Sequence, residues 1–148
     1  MRISELRIGN LVEHNGSTWK IYSIKGPSPL SDPKYSDKIL LDIWNNGLVT
    51  VSLDEVSPVE ITGELLESLG FHFDKGKKGN SYYSIHLESE EFNRWVEWFD
   101  KDKTVRMLNV DKSILDFNLC TEEMHHRCKY VHELQNFWYD IYNEELKL

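Results

Sequence analysis

The stretch Leu6-Arg-Ile-Gly-Asn-Leu-Val-Glu-His-Asn-Gly-Ser-Thr-Trp-Lys-Ile-Tyr-Ser-Ile24 decides the fold of the first part of this chain. Apolar and polar residues alternate on both sides of Asn15-Gly16, a pair that favours a tight turn with positive φ angles. The pattern predicts a β-hairpin whose strands cover residues 6–14 and 18–24.

A second pair of short strands follows a loop rich in proline and serine. Lys38-Ile-Leu-Leu-Asp-Ile-Trp44 and Leu48-Val-Thr-Val-Ser-Leu53 flank Asn45-Asn46-Gly47, whose residues tolerate turn geometry. A fifth strand is expected over 56–61. Five short strands with tight turns favour an SH3-like small β-barrel over residues 1–61, with Trp19 and Trp44 in its core.

Residues 62–148 are predicted to form a second, α+β half. Thr62 is expected to cap a short helix that stops at Gly70. Two antiparallel hairpins are predicted, with strands over 71–73, 82–87, 94–99 and 104–108. The segment 89–99 also fits a helix capped by Ser89, but a strand is the favoured interpretation.

The segment Lys129-Tyr-Val-His-Glu-Leu-Gln-Asn-Phe-Trp-Tyr-Asp-Ile-Tyr-Asn-Glu-Glu-Leu146 has the periodicity of an amphipathic helix. The predicted apolar stripe comprises Val131, Leu134, Trp138, Ile141 and Tyr142. The predicted polar side comprises His132, Glu133, Gln135, Asn136, Asp140 and Asn143. We expect this helix to lie across the hairpins of the second half, which gives an α+β fold class.

Two short motifs carry a resemblance to a known family. The ending Tyr130-Val-His-Glu-Leu-Gln-Asn136, followed by Glu144-Glu-Leu146, resembles the ending of small uncharacterised proteins from phages and mobile elements of Bacteroidetes-type bacteria. Some of those proteins begin with a strand like Leu6-Arg-Ile-Gly-Asn10. The resemblance implies a phage or mobile-element setting, and it implies no activity.

The composition limits the class of protein. The chain has 148 residues, with five Trp, seven Tyr and six Phe, which is typical of a folded globular protein. Two cysteines, Cys120 and Cys128, are too few for a secreted disulfide framework, and no apolar start resembles a signal peptide. The expected compartment is therefore the cytoplasm. No apolar run approaches the ~18 residues of a membrane span.

The charge of the chain is negative and uneven. Seventeen Lys+Arg stand against twenty-five Asp+Glu, which gives a net charge of −8. Residues 1–62 hold six basic and eight acidic residues, whereas residues 63–148 hold eleven and seventeen. Such a charge disfavours nonspecific nucleic-acid binding and favours a basic protein partner.

Acidic residues are concentrated between positions 88 and 102, where they are accompanied by two tryptophans. Carboxylates displayed on a rigid sheet resemble phosphates, so this region is predicted to bind a protein built for nucleic acid. The predicted partner-binding residues are Glu88, Glu90, Glu91, Trp95, Glu97, Trp98, Asp100 and Asp102. On a strand Trp95 and Trp98 face opposite sides, so at least one is expected to be exposed and to anchor the partner.

One group of cysteines and histidines has the ligand types that Zn²⁺ prefers. The group comprises Cys120, His125, His126, Cys128 and His132. Its spacing matches no zinc-ribbon pattern, so the prediction is that neither a metal nor another cofactor is bound. The corresponding alternative function is a small metal-dependent hydrolase.

A basic loop offers a third possibility. Lys75, Lys77 and Lys78 lie among glycines, but the spacing is not that of a phosphate-binding P-loop. They are candidates for a local RNA contact. The corresponding alternative function is an RNA-binding accessory protein that uses the barrel face and this loop.

The favoured prediction is a non-enzymatic inhibitor. On this hypothesis the protein comes from a phage or mobile element and acts in the cytoplasm of a bacterial host. It binds a host defence protein that has a basic surface, such as a CRISPR effector or its RNA complex. No membrane association is expected.

Overall fold

The structure is a computed structural model that describes residues 2–28, 34, 36–76, 81–88, 92–111, 122–144 and 146. The chain forms two units: unit 1 comprises residues 1–60 and 130–145, and unit 2 comprises residues 61–129 and 146–148. The boundary predicted after residue 61 agrees to within one residue. The prediction that the terminal helix completes the second half is wrong, because that helix belongs to unit 1.

The elements follow in chain order. The strands are β1 (Leu11–His14), β2 (Ser17–Lys25), β3 (Leu40–Trp44), β4 (Leu48–Ser52), β5 (Ser57–Pro58), β6 (His72–Lys75), β7 (Ser81–Glu88), β8 (Phe92–Phe99), β9 (Thr104–Asp111) and β10 (Glu122–Arg127). The helices are α1 (Gly63–Ser68) and α2 (Val131–Tyr142). Mixed α and β structure with antiparallel sheets and a C-terminal helix is therefore confirmed.

Unit 1 contains an antiparallel sheet with the strand order β4-β3-β2-β1-β5. The first hairpin turns at Asn15 and Gly16, whose φ angles are 50° and 73°, because asparagine and glycine adopt the left-handed region most readily. Asn46, with φ 55°, does the same between β3 and β4. Both predicted hairpins are confirmed.

The core of unit 1 lies on one face of this sheet. Its most buried members are Val12, Ile21, Leu41 and Ile43. Trp19 packs against them, as predicted, but Trp44 is exposed, so its predicted place in the core is wrong. Among the described residues no pairing joins β4 to β5, so a closed barrel is not confirmed.

Unit 2 contains a second antiparallel sheet with the order β10-β9-β8-β7-β6. The Thr62 hydroxyl accepts a hydrogen bond from the Leu65 N–H at 3.2 Å, and Gly70 has φ 86° after the last turn, so the predicted start and stop of α1 are confirmed. The segment that fitted both helix and strand is strand β8 over its described residues 92–99. Strand β10 was not predicted, because Glu122–Arg127 contains one apolar residue in six and has no alternation.

Helix α2 buries more than the predicted stripe. Val131, Leu134 and Trp138 are buried as expected. His132 and Gln135, which were placed on the polar side, are buried too. A polar residue inside a protein needs hydrogen-bond partners, and for Gln135 they are Gly9 and Leu11, the first residue of β1.

Candidate functional site

Glu97 does not have the role predicted for it. Its side chain is 9% exposed and accepts a hydrogen bond from Arg106 Nε at 2.7 Å. A second nitrogen of the Arg106 guanidinium donates to the same carboxylate. A paired and buried carboxylate contributes little to a long-range field, so the prediction that Glu97 steers a partner is wrong.

The two tryptophans of β8 face opposite sides of the sheet, as predicted. Trp98 is fully buried, and its Nε1 donates to the Cys128 carbonyl at 2.9 Å. Trp98 is therefore a core residue, and its predicted role as a partner anchor is wrong. Trp95 is partly exposed and stacks on His86, with 4.7 Å between the ring centroids.

The remaining acidic candidates form a smaller group than predicted. Asp100 and Asp102 are exposed in the turn after β8, and Asp100 is paired with Lys103. Glu90, Glu91 and the side chain of Glu88 lie outside the described residues. Within the described chain, the predicted acidic surface of unit 2 is thus reduced to one turn.

The cysteine and histidine candidates are not brought together. His125 and His126 are consecutive on β10 and so face opposite sides of the sheet. Cys128 is buried in unit 2, whereas His132 is buried in unit 1, and Cys120 lies outside the described residues. Within the described ranges no group of three His, Cys, Asp or Glu side chains could hold a metal ion.

The basic loop is described only at one end. Lys75 is exposed on β6, and Lys77 and Lys78 lie outside the described residues.

The division into units changes where the negative charge lies. Unit 1 holds six Lys+Arg against twelve Asp+Glu, a net charge of −6, and unit 2 holds eleven against thirteen, a net charge of −2. The two values account for the total of −8. The sequence-based division assigned the larger charge to the second half only because α2 was assigned there.

The two motifs that carry the family resemblance meet in unit 1. Gln135 Oε1 accepts from the Leu11 N–H at 2.9 Å, and Gln135 Nε2 donates to the Gly9 carbonyl at 3.2 Å. The Asn136 amide donates to the Glu5 carbonyl at 2.7 Å and accepts from the Asn10 amide at 3.1 Å. Two side chains of α2 thus form hydrogen bonds with residues 5–11, which lead into β1.

We call these hydrogen bonds of Gln135 and Asn136 the interlock. The interlock gives the motif residues a structural role, so no binding function is needed to explain them. The prediction that Leu6–Asn10 belongs to a strand is wrong. These residues contain a turn in which Gly9 has φ 96° and the Arg7 N–H donates to Asn10 Oδ1 at 2.7 Å. Because only glycine adopts that φ without strain, Gly9 has a structural reason to be there. The amides of Gln135 and Asn136 are already occupied, so we assign the motifs to stability and not to binding.

Asp42 is a second polar group with a structural role. It lies on the outer face of the unit 1 sheet, and its carboxylate accepts from Ser23 Oγ, Thr50 Oγ1 and Lys25 Nζ, each at 2.6 Å. Burial by itself raises the pKa of a carboxyl group, but the three hydrogen bonds outweigh it and lower the pKa of Asp42 to about 2. Asp42 is therefore a saturated anion that ties three strands together.

An exposed apolar patch surrounds Asp42 on that outer face. Tyr22 is 66% exposed, Trp44 51% and Leu48 55%. Trp44 and Leu48 are direct cross-strand partners, and Tyr22 occupies the β-bulge at which the register of β2 shifts. Among the described residues no aromatic ring stacks on Trp44, unlike Trp95 in unit 2. We call Tyr22, Trp44 and Leu48 the outer patch.

A cavity of about 490 Å³ lies at the end of β4. Its lining comprises Asp37, Lys38, Ile39, Ser52, Leu53, Asp54 and Val56. Lys38 donates to Asp54 at 2.9 Å, and this hydrogen bond raises the pKa of Lys38 and lowers that of Asp54. Ser52 Oγ is buried and has no hydrogen-bond partner within the described chain.

Sequence reasoning missed the outer patch, although a signal was present. In the segment of β3, Leu41 and Ile43 share one parity while Asp42 and Trp44 share the other. Placing a charged Asp42 outside the core therefore places Trp44 outside too. The prediction that Trp44 lies in the core does not use this register.

Comparisons with known proteins add no family, because no protein-family model, curated protein or solved structure matches this chain. Across the described residues, neither helix has the length and apolar character needed to cross a membrane.

Proposed function

We propose that this is a non-enzymatic binding protein of a phage or mobile element that docks on a basic protein of its bacterial host. The host protein is a nucleic-acid-binding defence factor such as a CRISPR effector, which the bound protein inhibits in the cytoplasm. The net charge of −8 supports this proposal, because it attracts a protein whose groove is built for phosphates.

We also propose that unit 1 is an SH3-like partial barrel that presents the binding surface. The strand order β4-β3-β2-β1-β5 supports this, since the fifth strand returns to pair with the first. A 3-10 helix over Leu53–Glu55 connects β4 to β5, and the bulge at Tyr22 bends β2. Both features are devices that curve a small sheet onto itself.

The observation that carries the proposal is the outer patch. An exposed tryptophan beside an exposed leucine keeps apolar surface in water, and such patches mark protein interfaces. Tryptophan is also the residue most often found at the energetic centre of an interface. The patch lies on the more acidic unit, so anchor and attractive charge are on the same body.

The same charge disfavours an RNA partner. Trp44 and Tyr22 have flat faces on which bases could stack, and Lys20 is the cross-strand neighbour of Trp44. However, a body of net charge −6 repels a phosphate backbone, and affinity for nucleic acid depends mainly on neutralising phosphates. A protein partner is therefore the better proposal.

The test uses the intact protein as bait in a bacterial host lysate treated with nuclease. We expect basic, nucleic-acid-binding proteins to be retained by the wild-type bait and lost with Trp44→Ala. The purified partner is then assayed for its nuclease activity, which the wild-type protein should inhibit and Trp44→Ala should inhibit at least about tenfold less well.

Trp95→Ala is the matched control, since it removes the same side chain from unit 2. Equal loss of partner with Trp44→Ala and Trp95→Ala would place the interface elsewhere. In a parallel lysate without nuclease, retention of RNA alone would favour the RNA-binding alternative.

A further inference from the structure

The edge of the unit 1 sheet at β4 differs from every other sheet edge that the structure describes. Edge strands usually carry a charge, a proline or a bulge that prevents pairing with another chain. β5 contains Pro58, β6 contains Asp74 and Lys75, and β10 is mostly charged. β4 reads Leu-Val-Thr-Val-Ser and has none of these protections.

The backbone of β4 has groups directed to solvent. The Leu53 N–H donates to the Ile39 carbonyl at 2.9 Å, which fixes the hydrogen-bond pattern between β4 and β3. Since bonding alternates along an antiparallel strand, residues 49 and 51 bond to β3, and the N–H and C=O groups of Leu48 and Thr50 point to the free edge. Leu48, Val49 and Thr50 are all exposed.

The far end of this edge is already closed. Glu55 Oε2 accepts a hydrogen bond from the Ser52 N–H at 2.7 Å. The open part of the edge therefore runs from Thr50 to the turn after Trp44. This part is flanked by the exposed Leu48 on the outer face and by Val49, 41% exposed, on the core face.

We propose that an extended, cationic segment of the partner protein adds to β4 as a sixth strand of the unit 1 sheet. This inference rests on the proposed function and states how the partner is held. Main-chain groups of Leu48 and Thr50 pair with the segment, and its alternate side chains contact Leu48 on the outer face and Val49 on the core face.

The net charge of unit 1 favours a basic segment at the β4 edge. A net charge of −6 attracts a basic segment and opposes a second copy of the same unit, so pairing of β4 with β4 of another copy is disfavoured. The cavity at the end of β4 takes the side chain at one end of the segment. The charged lining of this cavity comprises Asp37, Lys38 and Asp54, a net charge of −1, with Lys38 hydrogen-bonded to Asp54.

The experiment uses two labelled probes of equal charge, a peptide of four Lys-Val repeats and the same peptide with every backbone nitrogen methylated. A methylated nitrogen has no N–H to donate in either register, so only the first probe can pair with β4 as a strand. By fluorescence anisotropy we expect the Lys-Val peptide to bind at least about tenfold more tightly. Equal affinity of the two probes overturns strand addition.

Variants at Leu48 distinguish the contribution of its backbone N–H to binding from that of its side chain. Leu48→Pro removes the outward N–H at the first position of β4, where proline is tolerated, and Leu48→Ala removes the side chain alone. We expect Leu48→Pro to bind the Lys-Val peptide about fivefold more weakly than Leu48→Ala, the effect of one hydrogen bond. Equal affinities of the two variants overturn the inference.

Hydrogen exchange of the wild-type protein gives a readout that needs no variant. The amides of Leu48 and Thr50 should exchange fast in the free protein and slow down when the Lys-Val peptide is added. Slow exchange without peptide, together with a dimer in sedimentation, would assign the edge to a second copy and overturn the inference. If a Trp44→Ala bait loses the host partner while Leu48→Pro retains it, strand addition fails and the proposed function stands.

Discussion

The two units of this protein differ in how the exposed aromatic residues of their sheets are contacted. Each contains a five-stranded antiparallel sheet, but the exposed aromatic residues of unit 2 contact other rings, as Trp95 does with His86. In unit 1 the outer patch has no such partner among the described residues. Unit 1 also has the bare edge β4 and most of the net charge. We infer that the exposed aromatic residues of unit 2 are contacted within that unit, and that unit 1 presents a surface for another molecule.

The largest effect is expected from breaking the interlock that holds α2 in unit 1. Gln135→Ala leaves the Leu11 N–H and the Gly9 carbonyl without a partner, which should lower the free energy of unfolding by about 3 kcal/mol in a urea titration. Asp140→Ala is the control, because its ion pair with Arg7 is exposed and worth less than about 1 kcal/mol. Equal effects of the two substitutions would contradict the interlock.

A somewhat smaller effect tests the role of Glu97 in unit 2. Glu97→Lys places a positive charge against Arg106 in a mostly buried position, so we expect a loss of about 2 kcal/mol in stability. The exposed Asp102→Lys should change stability by less than about 0.5 kcal/mol. If both variants were equally stable and Glu97→Lys alone slowed partner association, the original prediction of a steering role would return.

The carboxylate of Asp42 predicts a dependence on pH in unit 1. Folding lowers its pKa from 3.8 to about 2, so its contribution is complete above about pH 4 and is lost as the pH falls through 2. Wild type should exceed Asp42→Asn in stability by about 2 kcal/mol at pH 6, and the difference should shrink toward pH 2. A difference that does not change with pH would mean that packing, and not charge, is responsible.

The smallest effect concerns His132 in α2. Burial lowers its pKa, and Nδ1 has no hydrogen-bond partner within the described residues. The unfolded chain therefore binds a proton more readily, so stability is retained above pH 6.5 and falls below it, by less than about 1.4 kcal/mol per pH unit. His132→Phe should flatten this part of the stability profile. An unchanged profile would assign the slope to other histidines.

Local features of the fold could be predicted from sequence because the residues concerned act within a few positions. Asn15, Gly16 and Asn46 set their turns through their own φ preferences, and Thr62 caps the helix that begins beside it. Strand β8 was ambiguous because its apolar residues fit two periods. The structure resolves that ambiguity through pairing with β7 and β9.

What could not be predicted depends on contacts between distant parts of the chain. Gln135 meets Gly9 across 126 positions, and no local pattern indicates that a buried amide will pair with a turn. The same holds for Glu97, whose neutralisation depends on Arg106 in the next strand. Because α2 was assigned to the wrong half, the larger net charge was assigned to the wrong unit.

The most direct test of the account is ¹⁹F NMR of the protein labelled with 5-fluorotryptophan, observed before and after addition of the purified host partner. The five resonances are assigned by single substitutions and report on both units at once. The account predicts that the resonance of Trp44 shifts or broadens while those of Trp95 and Trp98 stay unchanged. A change at Trp95 with no change at Trp44 would contradict it and would place the binding surface on unit 2.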